Sequence, residues 1–394
     1  MFGPDLHCYN RTHSRTGPDG VPSRLTDWRR SAREVLGLAK SLEIDLYLNP
    51  GDNTLDGHPD AQEQIDLVDF FESMEKQGTV VVGILGNHDP AGEQEAGPVD
   101  LLAKFRPLWG VTVPRIVDVN GVQIACLPHA RPDALRLHSE TIGQVMGTAQ
   151  AALNAICWGL ATQIDPKRPA ILLGHWAISG CKTGNTAVLE GREPLLAIGE
   201  LQSQPWTVVA MGHIHIPQQF DGSPYVIHTG ALERRNFGEQ RDERKVAVFD
   251  TSTGELAWHS FWSRRFLTWR LTDDEVTNLA GGAPVGPAPT EAEDAICQIE
   301  YRATQEQQRK INETALIKAL YDAGAHLVTG AAPEILRVTR SRSEGLSAQT
   351  STEEGLEIIL AKIRIDLSPE LRAACLAAHQ ELDEEVTKDE TAAA

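Results

Sequence analysis

The chain has 394 residues, 41% of them hydrophobic, and a formal net charge of −19. This length allows one large domain with one or two smaller ones, and the charge argues against broad, counterion-driven DNA binding by the isolated chain, although a local basic track is compatible with it. The apolar stretches are too short to cross a membrane and MFGPDLH lacks the features of a signal peptide, so we expect a cytoplasmic protein whose six cysteines are reduced.

Residues 1–270 alternate between helical and strand-like patterns. The apolar spacing predicts a helix over Trp28–Leu42, with Thr26 or Asp27 as its N-cap, and another over Ile65–Met74. Residues 115–127 predict a hairpin that turns at Asn120-Gly121, and a further helix is expected over 141–161. The remaining strand-like runs are IDLYLN, TVVVGIL, AILL, TVVAM, YVIHTG, KVAVFD and LAWHSFW.

The last third of the chain has a different organisation. Residues 280–294, AGGAPVGPAPTEAED, have the composition of a linker. A strand (ICQIEYRA), a helix over 306–324 with Gly324 as its C-cap, and a strand (EILRVTRS) follow, and 352–387 predict two amphipathic helices broken near Ser368-Pro369. We therefore divide the chain into a large domain (1–275), a linker (276–294), a small α+β domain (295–345), and C-terminal helices with an acidic tail (346–394).

Five short polar motifs occur in one order: Asp5-Leu6-His7, Gly51-Asp52, Gly86-Asn87-His88-Asp89, Gly174-His175 and Gly212-His213-Ile214-His215. A β-rich apolar run directly precedes four of them, which places their side chains at the carboxyl ends of strands, where α/β sheets bind ligands. The mixture of carboxylate, amide and imidazole donors suits Mn, Fe or Zn.

These motifs resemble those of the calcineurin-like metallophosphoesterases, and within them the Mre11/SbcD nucleases. The narrower resemblance rests on residues 212–249, GHIHIPQQFDGSPYVIHTGALERRNFGEQRDERKVAVF. It implies an α/β fold in which a two-sheet sandwich is flanked by helices and followed by a small α+β capping domain and C-terminal helices. It also implies two divalent ions, Mn2+ foremost, with Fe, Zn and Mg as alternatives.

The resemblance assigns roles to individual residues. One ion would take Asp5, His7, Asp52 and His215, and the other would take Asp52, Asn87, His175 and His213, so that Asp52 bridges the two. His88 would face the substrate, where it protonates the leaving oxygen or stabilises the phosphorane. Asp89 would either orient His88 or hold its loop.

The sequence departs from the family pattern in three places. Only four residues precede Asp5, and Pro4 cannot donate to a sheet ladder, so the first strand should be very short or begin upstream. Leu55 stands where many relatives carry a substrate-facing His or Asp, unless His58 replaces it. The loop over 8–25 is long and is either a DNA-contacting element or a plain insertion. Among the other histidines, we expect His129 to be structural or to contact a metal ligand.

The resemblance implies a Mn-dependent DNA exonuclease and endonuclease of DNA repair and recombination. Such an enzyme would work as a homodimer with a Rad50/SbcC-like coiled-coil ATPase, which would dock on helices within 354–387. A small-molecule phosphodiesterase or phosphatase on the same fold is the alternative, and a non-catalytic scaffold is a third reading. The candidate DNA contacts, each of which could equally be solvated surface charge, are Arg11, Arg15, Arg24, Arg234 and Arg235.

Overall fold

Thirteen strands, nine numbered α-helices and a further helical segment over 369–378 are assigned within the residues that the computed structural model describes, which are 1–9, 11–18, 20–90, 97–130, 142–183, 193–336, 351–363 and 367–378. The helices are α1 Ser23–Ser41, α2 Ala61–Lys76, α3 Pro98–Phe105, α4 Ile142–Ala161, α5 Ile198–Gln202, α6 Asp273–Ala280, α7 Gln305–Gln308, α8 Glu313–Asp322 and α9 Thr352–Ile363. The strands are β1 Leu46–Asn49, β2 Val80–Gly83, β3 Arg115–Val119, β4 Val122–Leu127, β5 Ala170–Gly174, β6 Val208–Met211, β7 Gln218–Phe220, β8 Tyr225–His228, β9 Lys245–Asp250, β10 Glu255–Ser260, β11 Phe266–Arg270, β12 Ile296–Thr304 and β13 Leu327–Leu336.

Two sheets form the large domain. One has six strands in the order β3-β4-β5-β6-β8-β7, with β4, β5, β6 and β8 parallel. The other contains a parallel pair, β1 and β2, and an antiparallel pair, β9 and β10. Phe2 joins these pairs through single bridges to Leu48 and Ala247, so the expected first strand is reduced to isolated bridges. Pro4, which has no N–H, explains why no longer ladder forms there.

The two sheets face each other across a shared apolar core. Leu48 and Val82 of the smaller sheet pack with Ile124 and Leu173 of the larger one. Side chains of the same strands at the alternate positions, such as Tyr47, point outward and pack against α1 and α2. The outer face of the six-stranded sheet is covered by α4. The central strands β1, β2, β4, β5, β6 and β8 are buried on both faces and are therefore largely apolar. The predicted two-sheet sandwich flanked by helices is confirmed.

Two helix starts differ from the prediction. Helix α1 begins at Ser23, after Pro22, and neither Thr26 nor Asp27 caps it. Asp27 lies inside the helix, where it binds two arginines. Helix α2 begins four residues before the predicted start, because Asp60 and Glu63 form a capping box there. The hairpin agrees with the prediction, since Asn120 and Gly121 adopt φ values of 51° and 84° at its turn.

The three-stranded sheet β11-β12-β13 is parallel and forms a separate core with α6 and α8. Strand β11 lies before residue 275, and α6 lies at the start of the predicted linker. We therefore propose that the small domain begins at β11 rather than at residue 295. The single helix predicted over 306–324 is two helices, because Asn312 caps a new one through the N–H of Ala315.

The C-terminal region contains α9 and a helical segment over 369–378, separated as the prediction of a break near Ser368-Pro369 requires. The acidic tail, and the parts of the predicted elements over 337–341 and 379–387, lie outside the described residues. Across the ranges that are described, no helix is both long and apolar enough to span a bilayer.

Candidate metal centre

Four of the five motifs follow strands that end at one edge of the sandwich. Asp52 comes after β1, Asn87 after β2, His175 directly after β5, and His213 after β6. Since each of these strands is parallel to its neighbour in the same sheet, their carboxyl ends lie together. Asp5 reaches the same place without a strand, because its backbone pairs with the loop after β8 through Gly230 O and Leu232 N, both at 2.9 Å.

The Asp52 carboxylate lies at the centre of the cluster and is almost completely buried. Its Oδ2 is 3.5 Å from His7 Nε2 and 3.3 Å from His175 Nε2, and its Oδ1 accepts the backbone N–H of His88 at 2.8 Å. One oxygen therefore lies between two imidazoles that come from different motifs. This is the position that a carboxylate bridging two cations would need.

Around Asp52, two groups of three side chains place one donor atom each within 4.8 Å of one another: Asp5, His7 and His215, and Asp5, Asp52 and His175. The Asn87 Oδ1 joins the second group, since it is 2.9 Å from His175 Nε2 and 2.8 Å from His213 Nδ1. All seven predicted ligands are thus brought together. Asp5 touches both groups, whereas the prediction gave it to one.

A cation fits this cluster for two reasons. The Asp5 Oδ1 atom is buried and has no hydrogen-bond partner, which costs free energy unless a positive group binds it. The Nε2 atoms of His7 and His215 face each other at 3.1 Å, and the Nδ1 atom of each ring contacts an oxygen acceptor, so in the neutral rings two Nε2 lone pairs meet and a cation between them would relieve their repulsion. Buried carboxylate and imidazole donors that converge in this way match the ligands of Mn, Fe and Zn.

Each candidate histidine ligand is oriented through its other ring nitrogen. His7 Nδ1 contacts Thr54 O at 3.2 Å, and His175 Nδ1 contacts Pro50 O at 2.7 Å. The corresponding contacts at the other two histidines are His213 Nε2 to Glu193 Oε1 and His215 Nδ1 to Glu239 Oε1, both 3.0 Å. Such contacts fix the tautomer and leave the remaining nitrogen free to bind a metal. The sequence motifs did not indicate either glutamate.

Three of the candidate ligands have a left-handed backbone, with φ values of 38° at His7, 47° at Asp52 and 79° at His213. This conformation is uncommon for residues other than glycine and concentrates at functional sites. Glycines permit the close packing beside them. A Cβ atom on Gly86 would lie 2.1 Å from Asp52 N, and one on Gly212 would lie 2.4 Å from Asp5 Oδ1.

The buried charges alter one another's pKa values. Burial raises the pKa of the Asp5 carboxyl well above its usual range. Burial lowers the pKa of the His175 imidazole, but the Asp52 carboxylate more than reverses this effect and raises it to about 9. Burial also opposes ionisation of Asp52, yet His175 and His7 hold its pKa well below the usual value. Without metal, a proton on His175 thus balances Asp52, and a bound cation would displace that proton.

His88 and Asp89 are held differently from the ligands. His88 Nδ1 contacts Leu55 O at 2.8 Å, so a backbone carbonyl orients this ring. Asp89 is fully buried and accepts the N–H groups of Asn53, Thr54 and Gly86 at 2.8 to 3.1 Å. Asp89 was expected either to orient His88 or to hold its loop, and these contacts match the second role. His58 is exposed.

The cluster opens into a cavity of about 380 Å³. His88 lies on its wall together with candidate ligands from three motifs, and residues after the last motif complete the lining. The cavity is lined by Asp52, Asn87, His88, Thr183, His213, Ile214, His215, Ile216, Arg235, Asn236, Gly238, Glu239 and Asp242. Among the five predicted DNA-contacting arginines, Arg235 is the one on this wall.

The prediction that Arg24 contacts DNA is wrong. This side chain is 1% exposed, and its guanidinium binds Asp27 at 3.1 Å and Glu233 at 2.9 Å. Arg234 is half-buried and donates to the carbonyls of Asp242 and Ser263. Arg11, which is exposed, binds Asp60 and Glu63. Arg15 is exposed.

His129 packs beside the ligands. Its ring stacks on Trp176 at 4.7 Å between centroids and lies 6.2 Å from the ring of His175. Burial, with further contributions from His175 and His213, lowers the pKa of His129 to about 3. A neutral ring packed against a ligand fits the expectation that His129 is structural or contacts a metal ligand.

Comparison with known proteins agrees with this geometry. The sequence pattern described as calcineurin-like phosphoesterase matches residues 5–217. The SbcD component of the nuclease SbcCD from Staphylococcus epidermidis is 26% identical over 151 residues, which are 37% of this chain and 38% of that protein.

Among solved structures, TT1561 of Thermus thermophilus is 15% identical and has a TM-score of 0.36, with 58% of this chain and 92% of that one covered. A dimetal phosphatase from Danio rerio is 9% identical, with a TM-score of 0.39 and coverages of 66% and 94%. The match over residues 5–217 includes all five motifs and more than half of the chain. The chain therefore belongs to the calcineurin-like phosphoesterase family.

Proposed function

We propose that the protein is a Mn-dependent phosphodiesterase that cleaves DNA, as an exonuclease and endonuclease of the Mre11/SbcD type. The observation that carries this proposal is the Asp52 carboxylate, which lies between His7 and His175 at the floor of an open cavity. Two ions on either side of one carboxylate suit the hydrolysis of a phosphoester. The partial similarity to a component of a nuclease favours DNA as the substrate.

In this proposal, the seven clustered side chains hold two divalent ions, with Asp5, His7, Asp52 and His215 on one and Asp52, Asn87, His175 and His213 on the other. When bound, the ions supply positive charge for the phosphate oxygens and lower the pKa of a water molecule. The remaining chemistry belongs to the chain. The contact of His88 Nδ1 with Leu55 O leaves Nε2 as the nitrogen that can exchange a proton with the leaving oxygen.

Other residues would bind and orient the substrate. Arg235 lies on the cavity wall, where a guanidinium can bind a phosphate through two parallel hydrogen bonds. Asp89 would keep the loops of Asp52 and His88 at a fixed distance, because it binds backbone N–H groups of both. A backbone held in this way preserves the geometry that the reaction needs.

We further propose that a Rad50/SbcC-like ATPase docks on the C-terminal helices and that the enzyme works as a homodimer. Ile359 on α9 is 42% exposed and Leu371 on the following helical segment is 53% exposed, whereas Leu360 is 6% exposed. Exposed apolar side chains on neighbouring helices suit a helical partner.

A small-molecule phosphodiesterase or phosphatase is the second candidate. The net charge of −19 and the burial of Arg24 favour it, because both reduce the positive field that a DNA backbone would meet. The shared metal site cannot separate the two functions, since substrate choice depends on the loops around it.

Cleavage assays test this proposal. End-labelled duplex DNA and circular single-stranded DNA are incubated with Mn2+ and the wild type, Asp52→Ala or His88→Ala, with bis-p-nitrophenyl phosphate as a generic diester. We expect DNA cleavage that Asp52→Ala abolishes and that His88→Ala slows by roughly 10²- to 10⁴-fold, which is the usual contribution of general acid catalysis.

The matched control is Asp221→Ala, which removes an exposed carboxylate outside the cavity and should leave the rate unchanged. Cleavage of the generic diester without DNA cleavage, in the presence of a coiled-coil ATPase partner, would favour the small-molecule enzyme. DNA cleavage that survives Asp52→Ala would contradict the proposed site.

A further inference from the structure

Glu239 lies behind His215 at the end of a 3₁₀ turn over Phe237–Glu239. Its Oε1 is 3.0 Å from His215 Nδ1, and its side chain is 14% exposed. With Nδ1 engaged in this way, His215 presents Nε2 to His7, whose Nε2 is 3.1 Å away. The orientation of this candidate ligand therefore depends on a carboxylate 24 residues further along the chain.

Arg244 completes a closed set of contacts around the same histidine. Its guanidinium binds Glu239 Oε2 through Nη2 and donates to the backbone carbonyl of His215 through Nη1 at 2.6 Å. The Arg244 side chain is fully buried, so its position is set by these partners rather than by solvent. The His215 ring and backbone are thus fixed together by one buried ion pair.

The second oxygen of Glu239 also shapes the cavity. Oε2 accepts the backbone N–H of Arg235 at 3.1 Å. Arg235, Asn236 and Gly238 line the cavity together with His88. The Glu239 carboxylate therefore fixes both the orientation of a candidate metal ligand, His215, and the position of the loop that would face the substrate.

We propose that Glu239 is a positioning residue, which holds His215 Nε2 towards the ion shared with His7 and keeps the Arg235 loop against the cavity. This inference rests on the proposed metal site and deepens it. Among the described residues, Glu239 makes no contact with the Asp52 carboxylate or with His175. Its loss should therefore weaken the binding of one ion and leave the binding of the other unchanged. Outer contacts of this kind typically contribute 10- to 100-fold to metal affinity.

The test is a calorimetric titration of the metal-free full chain with Mn2+ alone. Two variants separate charge from position: Glu239→Gln keeps the length of the side chain and removes its charge, and Glu239→Asp keeps the charge and shortens its reach. Glu243→Gln is the matched control, because Glu243 is exposed and pairs with Lys245 outside the cavity. Thermal unfolding of each metal-free protein is measured alongside.

We expect the wild type and Glu243→Gln to bind two equivalents of Mn2+, and both Glu239 variants to lose roughly 10- to 100-fold in affinity at one site only. If Glu239 merely neutralised Arg244, Glu239→Asp would bind Mn2+ like the wild type, which would overturn the inference. An equal loss of Mn2+ affinity at both sites, together with a lower unfolding temperature, would also overturn the inference, because it would indicate that Glu239 has a general structural role. A wild type that binds fewer than two ions would contradict the proposed metal site as well.

Discussion

His228 is a buried histidine of β8 that the candidate ligand set does not use. Its Nδ1 contacts Gly212 O at 3.1 Å, and its Nε2 is buried without a hydrogen-bond partner. Burial, the largest cause, lowers the pKa of the imidazole to about 3. The ring is therefore neutral in the folded protein at pH 7, and protonating it requires placing a charge in the core.

This residue should make the protein sensitive to acid. Because the folded pKa of His228 lies below the unfolded value of about 6.5, its contribution to stability is complete above pH 6.5 and is lost as the pH falls towards 3. His228→Asn, which keeps a donor near Gly212 O, should remove this pH dependence. The free energy of unfolding should then fall less steeply with decreasing pH, by about 1.4 kcal/mol per pH unit.

Urea unfolding of the metal-free protein between pH 7 and 4.5 measures this slope. His58→Asn is the control for the substitution, because His58 is exposed. If the free energy of unfolding depended on pH in the same way for wild type and His228→Asn, the buried imidazole would not be the cause of the loss of stability in acid.

At the scale of elements, the strands that carry the motifs could be predicted because each is a short, largely apolar run that ends in Gly or Asn or is followed directly by Gly. The starts of the helices could not. Asp27 has the local properties of an N-cap, yet its carboxylate binds Arg264, which lies 237 residues further along the chain. The interpretation of Arg24 as a surface residue was wrong for the same reason, since Glu233 lies far from it in the sequence.

The Arg264 side chain connects helix α1 to the small domain. Its guanidinium binds Asp27 Oδ1 at 2.6 Å, and it contacts the backbone and side chain of Asp294 at 2.8 and 2.5 Å. Asp27 is 1% exposed and Arg264 is 7% exposed. Removing Arg264 would leave the buried Asp27 carboxylate with Arg24 as its remaining cationic partner.

We expect Arg264→Leu to lower the free energy of unfolding by about 1.5–3 kcal/mol, because Asp27 would lose its charged contacts with Arg264 and keep its contact with Arg24. Arg265→Leu is the neighbouring control, since this arginine is exposed and donates to a backbone carbonyl, Glu293 O. Urea unfolding followed by circular dichroism compares the two variants. Equal losses in both would show that the buried pair adds nothing beyond removal of an arginine.

At the scale of the whole molecule, the sequence predicted which motifs meet but not what surrounds them. The seven candidate ligands share a pattern, polar residues after strands, that a sequence displays directly. Glu193, Glu239 and Arg244 have no such pattern, because each acts through a tertiary contact with a histidine that lies 20, 24 or 29 residues away along the chain. The pairing of β11 with β12, on which the proposed start of the small domain depends, is likewise not local.

Charge is the whole-molecule property that most constrains the proposed substrate. Two divalent ions would offset about four of the 19 net negative charges, which leaves roughly −15. Arg24 is buried and Arg11 is paired with two acids, so neither adds much to the positive field near the cavity. Arg235 lies on its wall, and Arg241 lines a neighbouring cleft next to Gly238.

The isolated chain should therefore bind DNA weakly and with a shallow salt dependence. With roughly two to three phosphate contacts, log K should fall against log salt with a slope of about −2 to −3, and Arg235→Gln should reduce that slope by about one. Fluorescence anisotropy of a labelled hairpin, with His88→Ala protein and about 50 to 200 mM salt, measures it. A slope steeper than about −6 would indicate an extended basic track that the described residues do not display, whereas a shallow slope would mean that a second protein must supply most of the affinity for DNA.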